Sequence, residues 1–200
     1  AFWNGGIEWK VRFAPTKIGQ WSYVVKEIKG ASVGIDGISG TFEATEYTGD
    51  LEIYKRGFIK TIPDTRYFVY DDGTPFFYLG DTHWAMLAEE IDEPGPHAVD
   101  IQTDSHFKYI VDKRVQQNFN VYQSEPNGKN YNIWDGIGEE DIIDFKRVDR
   151  YFKYIADKGM VHANALYIFP AEIIEKFFDE DFIYSLSRFW VARYACYPVL

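Results

Sequence analysis

The side chains able to do chemistry gather just after apolar runs. Gly80-Asp81-Thr82-His83-Trp84 follows Phe76-Phe77-Tyr78-Leu79 and sets a carboxylate, an imidazole and an indole close together. Gln123-Ser124-Glu125-Pro126-Asn127-Gly128 follows a second such run, and His162 and Asn164 stand two apart within Val161–Tyr167. In an extended strand residues at that spacing share a side, so His162 and Asn164 are expected together on an inner face. A polar cluster directly after a buried strand is what a binding face looks like, and an indole offers a flat apolar wall. Each feature has a plainer alternative. Asp81 can cap a turn, Trp84 can be core, Asn127-Gly128 is ordinary turn chemistry, and a lone histidine is commonly a satisfied core residue.

Other chemistries find weaker support. Asp81, His83, Glu125 and His162 could together hold a divalent ion, but no pair shows His-x-His or His-Glu-x-x-His spacing. No metal and no cofactor are therefore expected. A Ser-His-Asp triad lacks its Gly-x-Ser-x-Gly elbow, and no Gly-x-Gly-x-x-Gly or phosphate-loop fingerprint follows any strand. His97 and His106 fall at loop and helix-cap positions, where solvation is expected.

These clusters need elements to position them. From residue 76 onward, apolar strands alternate with helical periodicities. Phe76–Gly80 reads as a strand covered on both faces, followed by Phe119–Gln123, Val161–Tyr167 and Pro198–Leu200. Between them, Phe107, Ile110, Val111 and Val115 mark a helix capped by Asp104 or Ser105. Phe145, Val148, Phe152, Ile155 and Ala156 mark a second helix that stops at Gly159, and Phe182, Leu186, Phe189 and Trp190 mark a third. The repeat recurs about every 40 residues and predicts a parallel sheet, as a (β/α)₈ barrel or a doubly wound sheet. The loops after the strands are long, which favours the barrel, where such loops gather on the active face.

Upstream, Ile7–Phe13 alternates apolar and polar residues, and Gln20–Val25 and Thr41–Ala44 read as further strands, with no helix signal between. Residues 1–46 are expected to be the C-terminal part of an immunoglobulin-like β-sandwich, 47–75 a linker and hairpin closed at Asp72-Gly73, and 76–200 the first half of a barrel. The chain opens without Met and closes on an apolar run, so truncation at both ends is expected.

Composition narrows the partners. With 21 basic and 31 acidic residues the net charge is −10, which argues against nucleic acid or an anionic membrane surface. No stretch approaches the ~18 apolar residues of a membrane span. The lone Cys196 excludes an intrachain disulfide framework. Aromatic residues make up 18% of the chain; a core rich in Phe and Tyr accounts for most of them, and the remainder is a weak hint of carbohydrate.

Gly73-Thr74-Pro75-Phe76-Phe77-Tyr78-Leu79-Gly80-Asp81-Thr82-His83-Trp84 resembles the signature Gly-Thr-Pro-Phe-Phe-x-Leu-Gly-Asp-Thr-x-Trp of the apiosidase-like (β/α)₈ glycoside hydrolase domain. Val115–Gln123 is similar to that family's Arg-x-x-Gln-Gly-Phe-Asn-x-Ile-Gln, with Asn118 in place of Gly. Ala192–Val199 is similar to its Ala-Arg-Tyr-Gly-Ala-x-Pro segment, with Cys196 in place of a small residue. Trp9–Thr16 and Gly19–Tyr23 resemble the β-sandwich domain that often precedes such barrels. The resemblance implies a secreted, periplasmic or cell-surface enzyme acting on oligosaccharide or polysaccharide. It implies that Asp81, His83, Trp84, Gln123, Glu125, His162 and Asn164 contribute to a sugar-binding floor. It also implies that the two catalytic carboxylates required for glycoside hydrolysis lie beyond Leu200. A non-catalytic carbohydrate-binding protein and a metal-dependent hydrolase are the alternatives.

Overall fold

Local sequence signals decide where each helix begins and ends. The computed structural model describes residues 1–26, 35–84, 86–88, 90–95, 101–125, 137–165 and 180–200. His97, Asn127, Gly128 and Leu166–Tyr167 lie outside them. After the short α1 (Glu52–Lys55), which has no counterpart in the sequence reading, α2 spans His106–Gln116. Ser105, not Asp104, caps α2: its Oγ accepts the Lys108 N–H at 3.2 Å. Helix α3 spans Glu139–Asp157 and opens with the Gly138 N–H donating to Asp141 at 2.7 Å. It ends before Gly159, whose φ of +75° suits a residue without a side chain. Helix α4 is Glu180–Tyr194.

The strands fall into separate sheets. β1 (Phe2–Trp3) pairs antiparallel with β2 (Trp9–Lys10), and β3 (Gly19–Val24) with β4 (Ser39–Ala44). β5 (Lys60–Thr61), β6 (Phe68–Val69) and β7 (Pro75–Phe76) make an antiparallel trio. β8 (Gly80–Thr82), β9 (Val121–Ser124) and β10 (Val161–Asn164) are parallel, in the order β10-β9-β8. Val199 bridges His162 in parallel on the far side of β10. The parallel strands therefore follow chain order without reversal, α2 and α3 separating β8, β9 and β10, and α4 preceding Val199. This is a mixed α/β architecture.

The run Phe76–Gly80 is not one strand, contrary to the sequence reading. Phe76 pairs with Phe68 in the antiparallel trio, whereas Gly80 pairs with Val121 in the parallel sheet. Phe77, between them, is 79% exposed. Gly80 has another role than a sharp turn: a Cβ there would stand 3.0 Å from Tyr78 Cε1 and 3.3 Å from Val121 Cβ, so its bareness permits close strand approach.

Two apolar clusters sandwich the parallel sheet. On the helix side, Phe107, Val111, Tyr122, Phe145, Tyr151 and Phe152 pack with the α4 residues Leu186, Phe189 and Trp190. On the other side, Val121 and Val161, the first residues of their strands, pack against Ile53 and Phe76. That cluster covers the N-terminal end of the sheet.

The N-terminal segment is docked onto the helices. Phe2 is buried against Phe189, with ring centroids 6.0 Å apart. Within Ile7–Phe13 only Trp9–Lys10 enters a ladder, and the apolar row Ile7, Trp9, Val11 and Phe13 is exposed while Arg12 turns inward to Asp149. The alternation is present, but its apolar side is not covered, and of the polar side only Arg12 is partly buried, because the Asp149 carboxylate meets it.

Candidate active site

Parallel pairing sorts the strand-end residues onto two faces, since partners in register project to the same side. Asp81, Tyr122 and His162 are in register on one face, and Thr82, Gln123 and Ala163 on the other. The first face belongs to the helices, as Tyr122 packs on Phe107 at 6.0 Å and His162 on Phe152 at 4.4 Å.

Asp81 is thereby committed. Its Oδ1 accepts the Thr82 N–H at 2.9 Å, and its Oδ2 pairs with Arg114 Nε on α2. Arg114 also donates to Gln117 at 2.7 Å and lies over the Phe119 ring. His83 extends the strand through its N–H to the Gln123 carbonyl, 2.7 Å, while its Nδ1 meets the Tyr122 hydroxyl at 2.5 Å.

The expected inward orientation of His162 and Asn164 is corrected by this register. Ser124 Oγ lies 2.6 Å from His162 Nε2 and donates toward Met86 Sδ at 3.6 Å. The imidazole tautomer sets which of Oγ and Nε2 donates, and Nδ1 is the ring nitrogen left over. That Nδ1 is buried with no partner among the described residues. Burial holds the His162 pKa down to about 3, so the ring is neutral. Asn164 Oδ1 accepts the Trp190 indole N–H at 2.9 Å, and its Nδ2 donates to the Leu200 carbonyl at 3.1 Å. Both side chains tie the sheet to its surroundings.

The opposite face carries the remaining residues toward the strand C-termini. Thr82 is exposed and Gln123 half-buried in one row, with Glu125 a step beyond Gln123. The Glu125 N–H donates to the Trp84 carbonyl at 3.1 Å, so the backbones of the two clusters are clamped together, and the Trp84 side chain is 48% exposed. Glu125 Oε1 is buried without a hydrogen-bond partner, and desolvation raises the carboxyl's pKa. The structure thus brings Trp84, Gln123 and Glu125 together at the strand C-termini and turns Asp81, His83, His162 and Asn164 to the helix layer. Thr82 joins the Gln123 face although the sequence reading passed over it; its position two residues after Gly80 was the available signal. Among the described residues no three His, Cys, Asp or Glu side chains gather as a metal site.

A parallel sheet whose polar residues sit at strand C-termini, above an apolar plug, is the arrangement of an α/β protein with a strand-end binding site. Family profiles match the apiosidase-like catalytic domain over residues 63–200 and a domain of unknown function, DUF5060, over residues 1–27. The chain belongs to the apiosidase-like catalytic domain family. The family's Gly before Phe119 has a structural reason here, because Asn118 adopts φ +64°, a left-handed conformation that Asn tolerates better than most residues.

Among solved structures, a glycoside hydrolase family 5 protein from Bacteroides vulgatus ATCC 8482 aligns with TM-score 0.54 and 18% identity, over 74% of this chain and 32% of its own. A second structure from the same organism aligns with TM-score 0.54 and 18% identity, over 78% of this chain and 31% of its own. The chain spans about a third of the length of these structures. No curated protein matches it in sequence. No helix among the described residues is long and apolar enough to cross a membrane.

Proposed function

We propose that this chain is part of a secreted glycoside hydrolase that acts on plant or other complex polysaccharide. Residues 76–200 would be the first half of a (β/α)₈ barrel, 47–75 the linker and hairpin that close its base, and 1–46 the end of a β-sandwich. Sequential parallel strands support a barrel over a doubly wound sheet, whose order reverses at a switch point. The observation that carries the reading is the grouping of Thr82, Gln123 and Glu125 beside Trp84 at the strand C-termini, in a member of a glycoside hydrolase-like family. Thr82 and Gln123 would hydrogen-bond sugar hydroxyls, and Trp84 would stack on a ring face. Hydrolysis by a two-carboxylate mechanism would draw its acid and its second carboxylate from residues that follow Leu200.

The test is binding of xylan-, cellulose- and arabinan-derived oligosaccharides to the purified 200-residue chain by calorimetry. Binding of at least one of them is expected, weakened about tenfold in Gln123→Ala with an unchanged melting temperature. No hydrolysis is expected. Turnover of aryl glycosides by this chain would overturn the placement of the carboxylates, and binding untouched by Gln123→Ala would remove this face from the site.

A further inference from the structure

Glu125 stands apart from the other carboxylates around the parallel sheet. Asp81 has Arg114, and Asp149 has Arg12 and Arg193. Among the described residues Glu125 has no cation partner, and its Oε1 is buried without a hydrogen-bond partner. Glu125 directly follows the last residue of β9, and the described residues on the Gln123 face of the sheet are Gly80 and Thr82 from β8, Val121 and Gln123 from β9, and Val161 and Ala163 from β10, none of them ionisable. The ionisable groups of those strands and their ends, Asp81, His83, Tyr122 and His162, lie on the helix side, and Arg114 reaches the sheet from α2 only as far as Asp81. Desolvation raises the carboxyl's pKa, in keeping with the lack of a counter-charge among the described residues.

We propose that Glu125 keeps its proton in the free site and donates it, as a hydrogen bond, to an ether oxygen of the bound sugar, either ring or bridging. The inference rests on the reading of this face as a sugar floor and says which sugar atom meets which form of the side chain. An ionised carboxylate only accepts, and an ether oxygen also only accepts, so the two cannot bond. A neutral carboxyl donates to an ether oxygen directly. Sugar hydroxyls do not discriminate in this way, because they donate as well as accept. The neighbouring Gln123 carboxamide and Thr82 hydroxyl suit the hydroxyls, which leaves the ether oxygen for Glu125.

The experiment measures oligosaccharide affinity of the 200-residue chain against pH, using whichever of the xylan-, cellulose- or arabinan-derived probes it binds most tightly. The wild-type affinity should fall about tenfold as the pH rises through the Glu125 titration. Glu125→Gln, whose amide donates at every pH, should hold the low-pH affinity throughout, and Glu125→Ala should be about tenfold weaker throughout. A carboxyl-carbon NMR titration of Glu125 in the wild type should place its pKa above the ordinary range, a readout that survives if either variant misfolds. A pKa at or below that range overturns the proposal. So does wild-type affinity that is flat or rising with pH, or Glu125→Gln behaving like Glu125→Ala. Sugar binding sensitive to Gln123→Ala but insensitive to pH would overturn this proposal alone. Failure of the wild type to bind any probe would overturn the sugar floor as well.

Discussion

The Asp81 carboxylate on β8 is joined to the Arg114 guanidinium on α2, so the most conspicuous acid of the Gly80–Trp84 segment serves the sheet–helix layer. Both side chains are about one-third exposed, which places the pair between a surface ion pair and a buried one. Its loss also frees Arg114 over Phe119, loosening the end of the helix that follows β8.

Asp81→Asn should therefore lower stability by about 1 kcal/mol. Oligosaccharide affinity should change less than twofold. Melting temperature and calorimetric affinity on this one variant separate the two roles, and a large loss of affinity with an unchanged melting temperature would return Asp81 to the ligand.

Asp149 should be far less forgiving. Arg193 is completely buried and meets Asp149 through Nε and Nη2 at 2.7 and 2.8 Å, while its Nη2 also reaches Asn4 Oδ1 at 3.1 Å. Arg12 brings a second guanidinium to the same carboxylate. Asp149→Ala strands a buried cation and should cost about 3–5 kcal/mol in urea denaturation. The double variant Asp149→Leu/Arg193→Met should recover part of that loss, because the fully buried cation is gone and only the partly exposed Arg12 guanidinium has lost its partner. Equal losses in the single and double variants would show that the cluster matters for shape alone.

His162 predicts an acid limit to stability. Its folded pKa of about 3 lies below the ordinary histidine value of 6.5, so the unfolded chain takes up the proton first. Its stabilising share is complete above about pH 6.5 and is lost as the pH falls toward 3, up to about 5 kcal/mol if burial persists. His162→Gln should flatten this part of the stability–pH curve. An unaltered slope in the variant would assign the acid sensitivity to other groups.

Gly159 combines a conformational and a steric requirement. At φ +75°, a Cβ would also stand 2.9 Å from Leu51 Cδ2. Gly159→Ala should cost about 1–3 kcal/mol by thermal denaturation. A neutral result would mean that the turn after α3 relaxes freely away from Leu51.

Local pattern was enough to read much of the architecture. Helical periodicity placed α2, α3 and α4, because each helix buries a stripe written into its own residues. Gly159 marked the end of α3, since positive φ is a requirement of a single residue. The order of strands and helices, and the strand-end position of the polar clusters, were also legible in this way. What alternation cannot say is which of a strand's two faces meets the helices. That depends on register with strands about 40 residues away, and a shift of one residue exchanges the faces. Tertiary structure alone therefore turned Asp81, His162 and Asn164 toward the helices and Thr82 and Gln123 toward the opposite face. The same holds for Arg12, whose inward turn is set by Asp149 and Arg193, partners far along the chain that no local spacing connects to it.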